Sequence, residues 1–431
     1  MELTDFDCNQ FIAILQEELV PALGCTEPIA IAYAGAHARA LLGKIPDRVC
    51  IKSSGNIIKN VKSVTVPNSG NMKGIPAAAA IGIIGGNPDK GLEVLADITE
   101  ADIARTKEFL AKIPCKVSLL DTVASLHFIV EVFAGADSAS VEIIHQHTNI
   151  VRTTKNGKDV LSVPFDPASA NAALTDRSGL SVKKILEFAD TIDLDRVRPI
   201  LERQIDYNTR IAQEGLEHRY GINAGANLLK AAEAEQAVTL KIRAQATAAA
   251  GSDARMSGCT LPVVTNSGSG NQGLTASLPV IVFAEEKKLP HDKLLRGLLV
   301  SNLIAIHQKT RIGRLSAYCG AVSAGCGSGA AVTYLSGGSY EQVCETITNT
   351  LAVVSGIVCD GAKPSCASKI ATSVDAALNA HYLAMQNRVF EPGEGIVKGD
   401  IEKTIAGVGA VAADGMRETD KVILRIMVDD D

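Results

Sequence analysis

From Val182 onward the chain reads as one helical stretch after another, and this run does most to limit what it can fold into. Helical periodicity and good helix formers fill Val182-Ile192, Leu194-Leu216 and Asn223-Ala250, and the same pattern returns at 290–308, 339–357, 365–385 and 398–413. Ala and Gly are frequent in these segments, which lets helices pack closely. Before residue 165 the pattern is mixed. Two helices are expected in the first forty residues, broken at Pro21, followed by strands at Val49-Ser53 and Val61-Val66 and a helix at Glu100-Lys112. Strands at Lys116-Leu120, Leu126-Phe133, Ser140-His145 and Ile150-Thr153 follow, with Asn156-Gly157 marking a hairpin. The fold class is thus an α+β N-terminal domain, residues 1–170, followed by a predominantly α-helical C-terminal domain, residues 171–431. The N-terminal helices are free to pack on the second domain.

Composition removes several functions. Lys and Arg total 42 against 48 Asp and Glu, a formal charge of -6, so no basic groove for nucleic acid is evident. Aromatics are 4% with no Trp, which leaves no stacking platform for bases. The longest apolar run, Ile75 to Gly86, is too short for a membrane span and suits a buried helix. Met1-Glu2-Leu3-Thr4-Asp5 lacks the features of a signal peptide, and 10 cysteines are too sparse for a disulfide scaffold. A cytoplasmic protein with reduced thiols is expected.

Gly268-Ser269-Gly270-Asn271-Gln272-Gly273 fits the expression for a dinucleotide phosphate turn. A strand-like run at Pro279-Val282 leaves no room for the crossover helix, so that reading is rejected. The stretch Asn266-Ser267-Gly268-Ser269-Gly270-Asn271 suits a carboxylate-binding nest of backbone N–H groups or, equally, a surface loop. Asn68-Ser69-Gly70-Asn71 repeats the same chemistry.

Cys8, Cys50, Cys115 and Cys344 lie in amphipathic patterns and read as core residues, while Cys259 and Cys326 are ambiguous. Cys359 and Cys366 bracket a loop containing Gly361 and Pro364. With Cys319 they make either a three-thiolate site for a soft metal or three unligated thiols. Their spacing matches no common zinc or ferredoxin pattern. Cys25 precedes Glu27 and Pro28 at a helix start, where the dipole favours thiolate, or it is a packed thiol. His147 ends a strand run and is either a base or a structural residue. Asp253 and Arg255 read as a pair, and Lys309, Arg311 and Arg314 as a solvated helix end.

Six segments in order carry a resemblance: Pro21-Ala22-Leu23-Gly24-Cys25-Thr26-Glu27-Pro28, His147-Thr148-Asn149-Ile150-Val151, Ser252-Asp253-Ala254-Arg255-Met256, Asn266 to Gly273, Arg314-Leu315-Ser316-Ala317-Tyr318-Cys319, and Cys359-Asp360-Gly361 to Cys366. Together they resemble the iron–sulfur L-cysteine desulfidases, relatives of the bacterial iron–sulfur L-serine dehydratases. The resemblance implies a serine dehydratase alpha-like C-terminal domain and a [4Fe–4S] cluster without pyridoxal phosphate. It implies Cys319, Cys359 and Cys366 as metal ligands. The dehydratases carry a capping cysteine near the C-terminus, which this chain lacks; Cys25 takes that place or serves in catalysis. The implied reaction is β-elimination of L-cysteine to sulfide, ammonia and pyruvate. The carboxylate would rest on Asn266 to Asn271 and on Asn68, Ser69, Gly70 and Asn71, with Cys25 or His147 as base. Alternatives are an L-serine dehydratase, a lyase for another β-substituted amino acid, a non-enzymatic iron–sulfur redox sensor, and a zinc-binding or metal-free protein. The partner expected is a small amino acid, and the related enzymes are compatible with a homodimer.

Overall fold

The computed structural model describes residues 3–62, 64–168 and 174–428. The expected boundary at 170, Ser169 and the terminal Asp429 to Asp431 lie outside the described residues. The chain opens with α1 (Asp5–Glu18), whose start is fixed by reciprocal hydrogen bonds between Thr4 and Asp7. A short strand, β1 (Pro21–Leu23), leads into α2 (Thr26–Leu42). Then come β2 (Arg48–Ser53), α3 (Gly55–Val61), α4 (Gly74–Gly85) and α5 (Glu100–Lys112). Five strands follow: β3 (Cys115–Leu119), β4 (His127–Ala134), β5 (Asp137–Ile144), β6 (Ile150–Lys155) and β7 (Lys158–Ser162).

β2 through β7 form a six-stranded mixed sheet in the order β3-β2-β4-β5-β6-β7, with only β2 and β3 parallel. Its inward-facing Phe128, Val130, Val132 and Val141 pack in one core with α2 and α4. These helices are Ala-rich for a reason. A Cβ added at Gly82 would stand 2.1 Å from the carbonyl oxygen of Ala32, so α4 crosses α2 with backbones nearly touching. Asn156 and Gly157 both adopt positive φ at the β6–β7 turn, as the Asn-Gly pair demands.

The second part is helical: α6 (Val182–Thr191), α7 (Arg198–Glu217), α8 (Ala224–Ala234), α9 (Leu240–Met256), α10 (Gly270–Glu286) and α11 (His291–Ile312). It continues with α12 (Gly320–Leu335), α13 (Tyr340–Val354), α14 (Cys366–Ala384), α15 (Ile401–Ala410) and α16 (Arg417–Val428). Before α10, β8 (Pro262–Val264) pairs antiparallel with β1. α1 belongs to this helical part, since Phe11, Ile14 and Leu15 are buried with Val182, Ile185 and Phe188. α16 returns to the first part and lies on α3, where Lys59 pairs with Asp420. Among the described residues no helix is long and apolar enough to cross a membrane.

Two expected strands are corrected. Of Val61-Val66, Val61 ends α3 and Thr65 bridges to Lys73, so the described residues form no such strand. Pro279-Val282 lies inside α10, fully surrounded by protein, and a short apolar run cannot be told from a buried helix by period alone. The glycine turn at 268 therefore does open a helix. The dinucleotide reading still fails, because β8 sits in an antiparallel two-stranded ribbon and not in a parallel crossover unit.

Candidate active site

Three cysteines reach one cavity by backbone pairing and helix starts. Ala317 to Cys319 lies antiparallel to Ile357 to Cys359: Cys319 N–H donates to the Ile357 carbonyl at 3.0 Å, and Cys359 N–H donates to the Ala317 carbonyl at 2.6 Å. Cys319 caps α12, and Cys366 opens α14 after a turn at Gly361, whose φ of +95° brings it against the Lys59 carbonyl. The Lys363 N–H donates to Cys366 Sγ at 3.4 Å. Cys25 caps α2 from the other side, and all four thiols are free and line the same cavity of about 90 Å³.

The cavity is built for negative charge. The N-termini of α2, α10, α12 and α14 meet there, and none is closed by a capping side chain. Their unpaired N–H groups and dipoles favour anions. Lys59, Arg255, Lys309 and Arg314 line it as well, against the single carboxylate of Glu27. Burial, then the neighbouring Cys359 and Cys366 thiols, push the Cys319 thiol up to about 12. Burial raises Cys366 too, and burial together with Glu27 holds Cys25 well above the usual thiol range. Burial drops Lys309 to about 8, opposed by Cys359 and Cys319. Such thiols surrender their protons to a bound cation, as metal-ligating cysteines do.

The donor set suits an iron–sulfur cluster. Thiolates are soft ligands, and a cluster engages each through a different iron. It therefore needs sulfurs distributed around a space. Among the described residues no three His, Cys, Asp or Glu side chains have the geometry for a single metal ion. Cys319, Cys359 and Cys366 instead line the cavity, whose Arg255 and Lys309 form no ion pair among the described residues and complement the net negative charge of a cluster on three thiolates. Cys326, about two turns further along α12, is buried against the Ile347 carbonyl. Cys259 is also buried, and Cys8, Cys50, Cys115 and Cys344 are half-buried.

The glycine-rich turn is only partly in the cavity. Ser269 and Asn271 line it, joined by Gln272, which the sequence did not single out. Asn266 faces the interior, donating to the Asn302 side chain at 3.0 Å, and Ser267 Oγ donates to Asn266 Oδ1 at 2.9 Å. Gly268 packs beside Arg314 and His147, and Gly270 beside Arg255. The Asn68 to Asn71 segment does not line the cavity. Asn68 donates to the Leu95 carbonyl and Ser69 to that of Val66, so these polar groups shape a turn. Asp253 does not pair with Arg255; it accepts from the Gly225 N–H at the start of α8. Lys309 and Arg314, expected in solvent, face the cavity, and Arg314 is held by Glu18, which also binds Arg177.

His147 stands behind the turn at Gly268 rather than on the cavity surface, with Nε2 buried and unpartnered. Burial lowers its pKa to about 4, with Arg314 and Arg255 adding and Glu27 opposing. An unfolded histidine takes its proton near 6.5, so between 6.5 and about 4 the unfolded chain binds the extra proton. Stability linked to this group is complete above that window and lost as pH falls through it, to the extent of about 3 kcal/mol. Relative to wild type, His147→Gln is expected to flatten the fall in denaturant stability between pH 7 and 4. Parallel declines in the two proteins would show His147 already charged in the fold.

A helical body with a cysteine- and cation-lined cavity is joined here to a mixed sheet. Residues 89–425 match the family model described as the serine dehydratase alpha chain. A UPF0597 protein of Treponema denticola is 57% identical over 431 residues, covering 100% of both chains. One of Lachnoclostridium phytofermentans is 54% identical over 420 residues, 97% of this chain and 99% of that one. One of Aeromonas hydrophila is 40% identical, covering 97% and 96%. The chain belongs to the serine dehydratase alpha-chain family and, within it, with the UPF0597 proteins.

Proposed function

We propose that this protein is an iron–sulfur L-cysteine desulfidase, cleaving L-cysteine to sulfide, ammonia and pyruvate. The observation that carries this reading is the meeting of Cys319, Cys359 and Cys366 in one cation-lined cavity of a serine dehydratase alpha-type chain. These three thiolates would hold a [4Fe–4S] cluster, which supplies a Lewis-acidic iron for the leaving sulfur. Arg255 and Arg314, each with a buried and unpartnered Nε, neutralise the substrate carboxylate beside Ser269 and Asn271. Two groups at the cavity surface can move a proton. Lys309, near 8, suits removal of the Cα proton at neutral pH. Cys25 is held protonated, its Sγ donating to Glu27 Oε2 at 3.0 Å, and suits proton return. His147, behind the turn, acts on neither atom directly. Loss of the Cα proton and cleavage of the Cβ–S bond leave aminoacrylate, which tautomerises and hydrolyses to pyruvate and ammonia.

The family match favours a second reading, L-serine dehydration in the same cavity with hydroxide as leaving group. One assay separates the readings. Protein purified without oxygen is expected to be coloured, to contain iron and to release sulfide from L-cysteine, with kcat/KM rising with pH to a plateau above about 8. Pyruvate from L-serine at the higher kcat/KM would reverse the assignment. Iron without turnover of either amino acid would leave a redox sensor, and a flat profile would take the base role from Lys309.

A further inference from the structure

Glu27 is the only carboxylate among the described residues that line the cavity, and it has no ion-pair partner among them. It lies in the first turn of α2, 8% exposed. Its Oε1 accepts from Asn60 Nδ2 at 2.9 Å, and Oε2 accepts from Cys25 Sγ at 3.0 Å and Thr26 Oγ1 at 3.2 Å. Glu18 meets Arg177 and Arg314 and Asp7 meets Lys184 directly, while Asp253, which does not line the cavity, accepts from the Gly225 N–H. No cation touches the Glu27 carboxylate at ion-pair distance among the described residues, although Arg255 lines the same cavity, so an ammonium group entering there gains a direct charge contact.

The orphaned atoms nearby are acceptors. Asn60, 5% exposed, has no donor for Oδ1, which packs beside Gly361 in the cavity wall. Asn271 Oδ1 and Gln272 Oε1 are likewise buried without a donor. Orphaned donors, Arg255 Nε and Arg314 Nε, belong to the two arginines. Acceptors plus one negative charge, next to donors plus positive charge, is the complement of a zwitterion.

We propose that Glu27, with Asn60 Oδ1 beside it, binds the α-ammonium group of an L-amino acid and restricts the enzyme to substrates with a free, charged amine. This deepens the lyase reading above and rests on it for the identity of the ligand. Each ammonium N–H needs an acceptor, and the carboxylate, Asn60 and the Asn271–Gln272 pair supply them. Deaminated, N-acylated and 2-hydroxy acids forgo the direct charge contact with Glu27, so they bind poorly.

L-alanine and propionate differ only in the α-ammonium group and neither can undergo the elimination. Titration calorimetry on the full-length, anaerobically purified protein is expected to show L-alanine binding about 10- to 100-fold tighter than propionate, the range of a hydrogen-bonded charge contact. Glu27→Gln should erase that preference by weakening L-alanine alone. Asn60→Ala, a second variant should the first not fold, should reduce it by about 10-fold. Equal binding of the two acids by wild type, or equal weakening of both by Glu27→Gln, would overturn the proposal. Glu27-dependent L-alanine binding without sulfide or pyruvate production would sink the lyase reading and keep the ammonium site. Turnover with no preference for L-alanine would do the reverse.

Discussion

Replacing Cys319, Cys359 or Cys366 by serine, one at a time, is expected to strip the protein of iron and lower lyase activity more than about 100-fold, beyond the loss from disturbing an outer-shell group. Cys326→Ala is expected to leave both intact. The contrast follows from position, because all four thiols are held on or near α12 and α14 and differ in what they face. Cys319 and Cys359 sit diagonally across the Tyr318–Val358 bridge, and Cys366 begins the helix that follows. Their backbone hydrogen bonds do not involve the side chains of Cys319 and Cys359, so serine at those positions preserves the local geometry. The hydroxyl is a hard, weakly acidic ligand where a thiolate is needed. Cys326 lies 0% exposed inside α12 and does not line the cavity. Its loss removes packing worth about 1 kcal/mol and nothing else. Iron and acid-labile sulfide per chain, with circular dichroism as the folding control, read the result. Iron retained by the triple variant, or lost by Cys326→Ala alone, would remove the proposed ligand set.

The same residues show what a sequence discloses. Local demands were legible: Asn156-Gly157 requires positive φ, and the Glu100–Lys112 helix announces itself through Thr99 and Asp102 bonding reciprocally. Gly361 and Pro364 fixed the loop between Cys359 and Cys366. The two Gly/Ser/Asn turns were not distinguishable, since composition is alike at 68–71 and 266–271 and only tertiary position puts Ser269 and Asn271 in the cavity. In sequence Lys309 and Arg255 look like ordinary surface or paired charges, because charge on a helix usually faces water. Here both helices turn that face to a closed space, Lys309 being 5% and Arg255 3% exposed. Glu27 stood in plain view, yet an acid in a first helical turn is also the commonest complement to the dipole. Pro279 inside α10 misled for the opposite reason, because burial on all sides erases the amphipathic period.

Gly273→Ala is expected to lower stability by about 3 kcal/mol or to prevent soluble folding, although alanine is the better helix former by about 1 kcal/mol. The added methyl would lie 1.9 Å from the Val264 carbonyl oxygen and 2.9 Å from the carbonyl carbons of Val264 and Thr265. Every one of these atoms is backbone, so no side chain can rotate aside. β8 cannot retreat either, because Asn208 holds the Val264 N–H and carbonyl, and β1 pairs along its other edge. The remaining freedom is for α10 to lift from β8, which carries Ser269, Asn271 and Gln272 out of register with Arg255 and Arg314. Glycine at 273 thus serves close approach of helix to strand, not exposure of an amide to the ligand. Gly157→Ala is the control: its methyl meets nothing within 4 Å at a φ of +76°, so about 1 kcal/mol of backbone strain is expected with no change at the cavity. Thermal unfolding and L-alanine affinity, measured on both variants, separate the cases. A Gly273→Ala protein as stable as wild type would mean that α10 is not seated on the β8 backbone. In that event the alignment of its N-terminus with the cysteine cavity would need another cause.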